Sequence, residues 1–225
     1  MTGAGSGTTL LVIAKEPAPG RVKTRLVPPC TPGQAAALAE AALADTLHAV
    51  LAAPARRRVL VLDGAPGPWL PPGFEVIPQC GGGLDERLAA AFAAVPGPAL
   101  LVGMDTPQLT PGLLTVDWEG IDAWFGTAAD GGFWGLGLRV PDAALVRGVP
   151  MSTADTGAVQ RARLQAAGLR VAELPRLRDV DTAADAVAVA RQAPLTRFAA
   201  RARELAPALG LAVPAGPDGA AWARP

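Results

Sequence analysis

Residues 10–26 read LLVIAKEPAPGRVKTRL, in which a short apolar run is followed directly by a loop that carries four cations. An uninterrupted apolar run of this length is typical of a strand that is buried on both faces of a parallel sheet. We therefore predict a strand over residues 9–14, with the loop at its carboxyl end, where open α/β sheets bind their ligands. The four cations are Lys15, Arg21, Lys23 and Arg25.

The lysines of this basic loop indicate a phosphate site. The chain has 20 Lys and Arg residues, and its only lysines are Lys15 and Lys23. An ammonium group is a compact point charge that suits a phosphate oxygen, and Gly20 lets backbone amides approach an anion. We predict that the loop binds a di- or triphosphate; the alternative is a solvated surface loop. It is not a Walker A loop, because the spacing G-x-x-x-x-G-K-[ST] is absent.

The composition limits the other functions. A chain of 225 residues, of which 50% are hydrophobic, can form one large α/β domain. The formal net charge of +0 argues against nucleic-acid and membrane partners, because these usually require a basic surface. Cys30 and Cys80 lie far apart and lack the spacing of a zinc site, so we expect a reduced, cytoplasmic setting.

Apolar strands and helices alternate along the chain, which predicts an α/β fold with parallel strands joined by right-handed crossovers. The predicted domain covers residues 9–205, between a flexible N-terminus (1–8) and a Pro/Gly-rich tail (206–225). The first helix begins with the cap Thr31 and places Asp45 and His48, the only histidine, on its solvent face. Further strands are predicted over 58–62, 74–77, 99–103, 124–127, 133–140 and 169–174, and further helices over 84–95, 156–167, from 182 and over 195–205.

Three carboxylates follow predicted strands and suggest a metal site. Asp105 comes after strand 99–103, and Asp179 and Asp181 share one side of an extended segment because strand side chains alternate. Mg²⁺ usually takes one or two carboxylates together with substrate phosphates and water. We predict Asp105 as a ligand of Mg²⁺ or Mn²⁺, with Asp179 or Asp181 completing the site. The alternatives are a turn hydrogen bond for Asp105 and a helix cap for Asp181 or Thr182.

Four motifs in order resemble a known bacterial family. They are K-x-P-x-P-G-x-V-K-T-R-L (15–26), G-M-D-T-P-Q-L (103–109), A-D-G-G-F-W-G-L-G-L (129–138) and D-V-D-T (179–182). The family has the glycosyltransferase-A, or nucleotide-diphospho-sugar transferase, fold. Its members are commonly labelled glycosyltransferases, some are associated with arsenosugar biosynthesis, and the family is similar to phospholactate and molybdenum-cofactor guanylyltransferases. The resemblance covers roughly residues 10–191.

The resemblance implies a single-domain fold with a mostly parallel central sheet and helices on both faces. It also implies that the basic loop binds phosphates and that Asp105 holds the divalent metal. Relatives often have tyrosines after Asp-Gly-Gly, whereas this chain has Phe133 and Trp134 there and no tyrosine. The implied nucleotide-binding residues are Ala14, Lys15, Gly20 and Lys23 at the phosphates, and Gln79, Gly81, Gly82 and Gly83 at the nucleobase. The implied acceptor-side residues are Asp130, Gly131, Gly132, Ser152 and Thr153.

Three functions are compatible with these residues. The first is a metal-dependent nucleotidylyltransferase, which transfers a nucleoside monophosphate from a nucleoside triphosphate to a small phosphorylated or oxyanion acceptor. The second is a glycosyltransferase with a nucleotide-sugar donor. The third is a non-catalytic nucleotide-binding module, because a fold alone does not fix a function. Four cations suit a triphosphate, and Gly103-Met104-Asp105 offers one carboxylate where metal-dependent glycosyltransferases usually have an Asp-x-Asp pair, so we favour the first.

Overall fold

Seven strands form one sheet, in the order β3-β2-β1-β4-β6-β5-β7. The computed structural model describes residues 7–210, so the outer parts of the predicted flexible N-terminus and tail lie outside the described residues. The strands are β1 (Thr9–Lys15), β2 (Arg57–Asp63), β3 (Glu75–Pro78), β4 (Ala99–Gly103), β5 (Ala123–Ala128), β6 (Phe133–Leu138) and β7 (Val171–Leu177).

β1 lies near the middle of the sheet and pairs in parallel with β2 on one side and β4 on the other. In the described part of the chain β6 alone runs antiparallel to its neighbours. Leu10, Leu11 and Val12 are buried, as expected for a strand covered on both faces. The predicted α/β fold with a mostly parallel sheet is therefore confirmed.

Helices cover both faces of the sheet, as the resemblance implied. Side chains of the long first helix, such as Leu43 and Leu47, pack with Leu10 on one face. Leu88 and Phe92 of the second helix pack with Leu11 on the other face. The helices are α1 (Pro32–Ala52), α2 (Leu84–Ala93), α3 (Thr156–Ala166), α4 (Ala183–Gln192) and α5 (Arg197–Glu204).

The helix caps follow the sequence signals. Thr31 caps α1: its side chain accepts a hydrogen bond from the backbone amide of Gln34, and the Gln34 side chain accepts one from the backbone amide of Thr31. Thr182 caps α4 in the same way, with Asp185 as its partner. Helix capping therefore uses Thr182 and does not occupy the carboxylate of Asp181.

Asp45, which was predicted on the solvent face of α1, instead contacts α5. His48 is exposed, as expected, but the carboxylate of Asp45 is only 8% exposed. It accepts hydrogen bonds from the backbone amides of Arg197 and Phe198, the first turn of α5. The prediction of a solvated Asp45 was wrong because α5, distant in sequence, docks on that side of α1.

The helix α1 is long and apolar enough to cross a membrane by composition, but 61% of its apolar 18-residue window is buried in the domain.

Candidate nucleotide and metal site

A cleft of about 330 Å³, which we call the central cleft, opens at the carboxyl ends of β1 and β4. A second cavity of about 260 Å³, the loop cavity, is lined by residues 21–25 of the basic loop. The two cavities adjoin, because four residues line both of them: Lys15, Met104, Asp105 and Asp181. The basic loop and the acidic residues that were predicted at different strand ends therefore meet at one site.

The cations of the basic loop are largely paired with protein carboxylates. Arg21 lies 3.6 Å from Glu16 and 3.5 Å from Asp63, and Arg25 lies 3.0 Å from Asp181. Within residues 7–210 no carboxylate forms an ion pair with Lys15, which is exposed at the end of β1. The sequence suggested four cations free for a phosphate, but a ligand must compete with these pairs at three of them.

Lys23 is the most enclosed cation of the loop. Its side chain is 7% exposed, and Nζ lies 2.8 Å from Asp105 Oδ2 and 3.3 Å from Asp181 Oδ1. The backbone of Lys23 is left-handed, with φ 51° and ψ 39°, a conformation that costs free energy for a residue with a Cβ. Burial alone would lower the pKa of Lys23, but the two carboxylates outweigh it and raise the pKa above the ordinary value. The ammonium therefore stays charged between the two acids.

Asp105 shows a feature that fits a bound cation. Its Oδ1 is buried and has no hydrogen-bond partner among the described residues, while Oδ2 contacts Lys23. A buried carboxylate oxygen without a partner is costly, and a divalent cation would relieve it. The backbone carbonyl of Asp105 accepts a hydrogen bond of 3.0 Å from the amide of Val180, which fixes the two acidic segments side by side.

Three carboxylates could hold a metal ion together. One oxygen each of Asp130, Asp179 and Asp181 lies within 4.8 Å of the others. Burial and the neighbouring charges of Asp130 and Asp181 raise the pKa of Asp179 to about 6. Carboxylate oxygens are the ligands that Mg²⁺ and Mn²⁺ prefer. The donor set therefore fits a divalent cation, and Asp130, predicted on the acceptor side, lies beside the predicted metal ligands.

The residues predicted at the nucleobase have structural contacts of their own. Gln79 lines the central cleft, but its amide donates to the carbonyls of Ala14 and Val61 at 2.7 and 3.1 Å. Gly81, Gly82 and Gly83 form the turn into α2 and are not among the residues that line the cleft. A role for them at the base stays a prediction.

The predicted acceptor side borders the same cleft. Gly132, Ser152 and Thr153 line it. Gly131 has φ 93°, and a Cβ there would lie 2.0 Å from the carbonyl oxygen of Ala154, so this position requires glycine. The glycine therefore holds the β5–β6 turn against the segment before α3, and a role for Gly131 on the acceptor side stays a prediction.

Sequence reasoning missed several residues of the cleft. Arg87 of α2 lines it and lies 3.3 Å from Asp63, the carboxylate that also pairs with Arg21 of the basic loop. No motif marks Arg87, and only its position one helical turn after Gly83 could have suggested it. The apolar wall was also missed as a site feature: Leu84, Leu88, Phe133, Trp134 and Met151.

Solved structures that resemble this chain include the following two. A crystal structure from Desulfovibrio desulfuricans G20, provisionally described as a nucleotide-diphospho-sugar transferase, is 26% identical with a TM-score of 0.81 and covers 91% of this chain and 97% of its own. The structure of CMP:2-keto-3-deoxy-manno-octonic acid synthetase with CTP is 14% identical with a TM-score of 0.53, covers 89% of this chain and 100% of its own, and supports the fold alone. No curated protein matches the sequence.

A family model matches residues 37–153, which is more than half of the chain. Together with the Desulfovibrio structure, this match confirms the resemblance to a bacterial family with the nucleotide-diphospho-sugar transferase fold. The match and the fold agree with the motifs at 103–109 and 129–138, which lie inside the matched span. The chain belongs to the family described as "Uncharacterized protein conserved in bacteria (DUF2064)".

Proposed function

We propose that this protein is a cytoplasmic, divalent-metal-dependent nucleotidylyltransferase. It transfers a nucleoside monophosphate from a nucleoside triphosphate to a small phosphorylated or oxyanion acceptor and releases pyrophosphate. The observation that carries the proposal is the adjoining pair of cavities, where the basic loop meets Asp105 and Asp181 at the carboxyl ends of the strands. The fold shared with nucleotide-using transferases supports it. The proposed cofactor is Mg²⁺ or Mn²⁺.

The basic loop has the charge to hold the phosphates. Lys15 is available at once, because within residues 7–210 no carboxylate pairs with it. Arg21, Lys23 and Arg25 line the loop cavity and would exchange their carboxylate partners for phosphate oxygens. In such transfers negative charge develops on the leaving group in the transition state. Cations directed at that charge lower the free energy of the transition state.

The reaction needs an acceptor placed in line with the leaving group. An acceptor oxygen forms a bond to the α-phosphorus, and the bond from that phosphorus to the bridging oxygen breaks, so the electron pair leaves with pyrophosphate. Ser152, Thr153 and Gly132 line the cleft where the acceptor would sit. A divalent cation at Asp105 or among Asp130, Asp179 and Asp181 would supply charge neutralisation of the phosphates when bound.

A glycosyltransferase is the second candidate, and two observations favour it. The Desulfovibrio structure carries the provisional description of a nucleotide-diphospho-sugar transferase. In addition, three of the four loop cations are already paired, which weakens the argument that the loop was built for a triphosphate. Against it, Gly103 stands where the first aspartate of an Asp-x-Asp pair ending at Asp105 would be. A non-catalytic nucleotide-binding module is the third candidate.

One product assay separates the candidates. The full chain is incubated with Mg²⁺ or Mn²⁺, each nucleoside triphosphate and a pool of phosphorylated acids, and pyrophosphate is measured. A parallel incubation contains nucleotide-sugars, and nucleoside diphosphate is measured. We expect pyrophosphate in the first incubation. Nucleoside diphosphate alone would replace the proposal with glycosyl transfer, and turnover of neither despite nucleotide binding would favour the third candidate.

A further inference from the structure

Lys23 occupies the position between two acids that a metal ion would be expected to occupy. Its Nζ lies within 3.3 Å of carboxylate oxygens from both Asp105 and Asp181, and the side chain is almost fully buried. These acids come from segments distant from the loop, 82 and 158 positions beyond Lys23 in sequence. The single positive charge of Lys23 thus offsets one of the two carboxylate charges, whereas a divalent cation would offset both.

One of the two acids that contact Lys23, Asp181, also belongs to the candidate metal cluster. Asp181 contributes an oxygen to the group with Asp130 and Asp179, yet both of its oxygens are engaged, Oδ1 by Lys23 and Oδ2 by Arg25 at 3.0 Å. The second oxygen of Asp105 is buried without a partner in the described part of the chain. The acids are therefore only partly satisfied by the lysine, and any cation bound to Asp105 or Asp181 must displace it or share with it.

The loop cavity offers the Lys23 side chain a second environment beside the two acids. Lys23 lines the loop cavity together with Lys15 and Arg21. The left-handed backbone of Lys23 is not the intrinsic preference of a lysine, so the surrounding turn must hold it. Strained backbone of this kind is typical of segments that change conformation at functional sites. An anion in the loop cavity would attract the ammonium away from the acids.

We propose that Lys23 is an internal counter-cation that competes with the divalent metal for Asp105 and Asp181. Without a ligand, its ammonium holds the two carboxylates and keeps metal affinity low. When phosphates enter the loop cavity, Lys23 turns to them and frees the acids, so metal and nucleotide promote each other's binding. The last step rests on the proposed function; the competition between Lys23 and the metal does not.

The test is a titration of the full chain with Mn²⁺ alone. Electron paramagnetic resonance measures the concentration of free Mn²⁺ at each point of the titration. Lys23→Met has nearly the same length and no charge, so we expect it to bind Mn²⁺ about tenfold more tightly than the wild type, a typical coupling between two ligands. Arg25→Met frees the other oxygen of Asp181, but Arg25 is 69% exposed and its pair is screened, so we expect about a threefold gain. Arg21→Met removes a loop cation that pairs with Glu16 and Asp63 instead, and we expect at most a twofold change.

The order of the three variants decides the outcome. Unchanged or weaker Mn²⁺ binding by Lys23→Met overturns the proposal, and so does an equal gain by Arg21→Met, since that would reflect general charge and not the contact. If Lys23→Met does not fold by circular dichroism, Lys23→Gln replaces it, and unchanged or weaker Mn²⁺ binding by that variant overturns the proposal. The titration contains no nucleotide, so its result is independent of whether nucleotidyl transfer is found.

Discussion

Two ion pairs at opposite ends of the sheet show what distinguishes the candidate site. At the amino-terminal ends of β5 and β7, Arg170 makes a two-pronged contact with Asp122, at 2.8 and 3.1 Å, and the pKa of Asp122 is lowered to about 2, chiefly by this hydrogen bonding. At the carboxyl ends of β1 and β4, Lys23 is enclosed between Asp105 and Asp181. The pair with better geometry is on the surface, where solvent screens it.

The difference teaches that short distances do not identify a functional pair. Arg170 and Asp122 satisfy each other with planar groups that match, and the arginine is 61% exposed. Lys23 lies on a left-handed backbone, and Asp105 Oδ1 beside it has no hydrogen-bond partner within residues 7–210. An incompletely satisfied, enclosed charge cluster that opens into a cavity is the arrangement expected where a ligand completes the contacts.

The largest expected effect is on catalysis. Lys23→Ala removes a cation from the loop cavity, and we expect kcat/KM for the nucleotide to fall about 100-fold, as when a donor to a developing oxyanion is lost. Arg57→Ala is the matched control, because Arg57 forms an exposed pair with Glu75 on β2 and β3. It should change kcat/KM by less than about twofold. Steady-state kinetics check both, and equal losses would remove the loop from the mechanism.

The next effect is on stability. Lys23→Met leaves two partly enclosed carboxylates facing each other, and we expect the free energy of unfolding to fall by about 2 kcal/mol, less than for a fully buried pair because both acids retain solvent contact. Urea denaturation in metal-free buffer measures this. Addition of Mn²⁺ should restore more stability to the variant than to the wild type, because the cation replaces the lost ammonium. No loss in metal-free buffer would show that Lys23 does not neutralise the acids.

A smaller effect of opposite sign is expected at Asp179. Because the pKa of Asp179 in the folded protein, about 6, lies above the ordinary value of 3.8, wild-type stability falls as pH rises through this interval. Asp179→Asn removes that loss, so it should stabilise the metal-free protein by about 1 kcal/mol at pH 7.5 and by little near pH 4, after allowance for solvent screening of a half-buried group. Thermal denaturation at the two pH values tests it. A destabilised variant at pH 7.5 would contradict the repulsion inferred among the three acids.

The smallest effect is expected at the surface pair. Arg170→Met should lower the free energy of unfolding much less than Lys23→Met does, because exposed pairs contribute little in water. The same urea experiment applies. A loss as large as that of Lys23→Met would mean that contact geometry, and not enclosure, sets the energy of these pairs.

The fold was predictable because its signals are local. The apolar runs of β1 and β4, the caps Thr31 and Thr182, and the alternation of strands and helices are each read within a few residues. The rule that ligands bind at the carboxyl ends of parallel strands then placed the basic loop and Asp105 at one edge.

The arrangement inside the site was not predictable in the same way. Which carboxylate faces Lys23 depends on how segments far apart in sequence pack, and the left-handed conformation of Lys23 has no signal in its side chain. Asp130 was taken for an acceptor residue because its position beside Asp179 arises from the pairing of β5 with β7. Arg87 carries no motif at all, and its role in the cleft follows from the packing of α2 on the sheet.

A crystal structure of the full chain with Mn²⁺ and a nucleoside triphosphate tests the central claim most directly. The account predicts phosphates in the loop cavity, Lys23 Nζ about 3 Å from a phosphate oxygen, and Mn²⁺ on Asp181 with Asp105 or with Asp130 and Asp179. Phosphates bound elsewhere, with Lys23 still between Asp105 and Asp181, would contradict it.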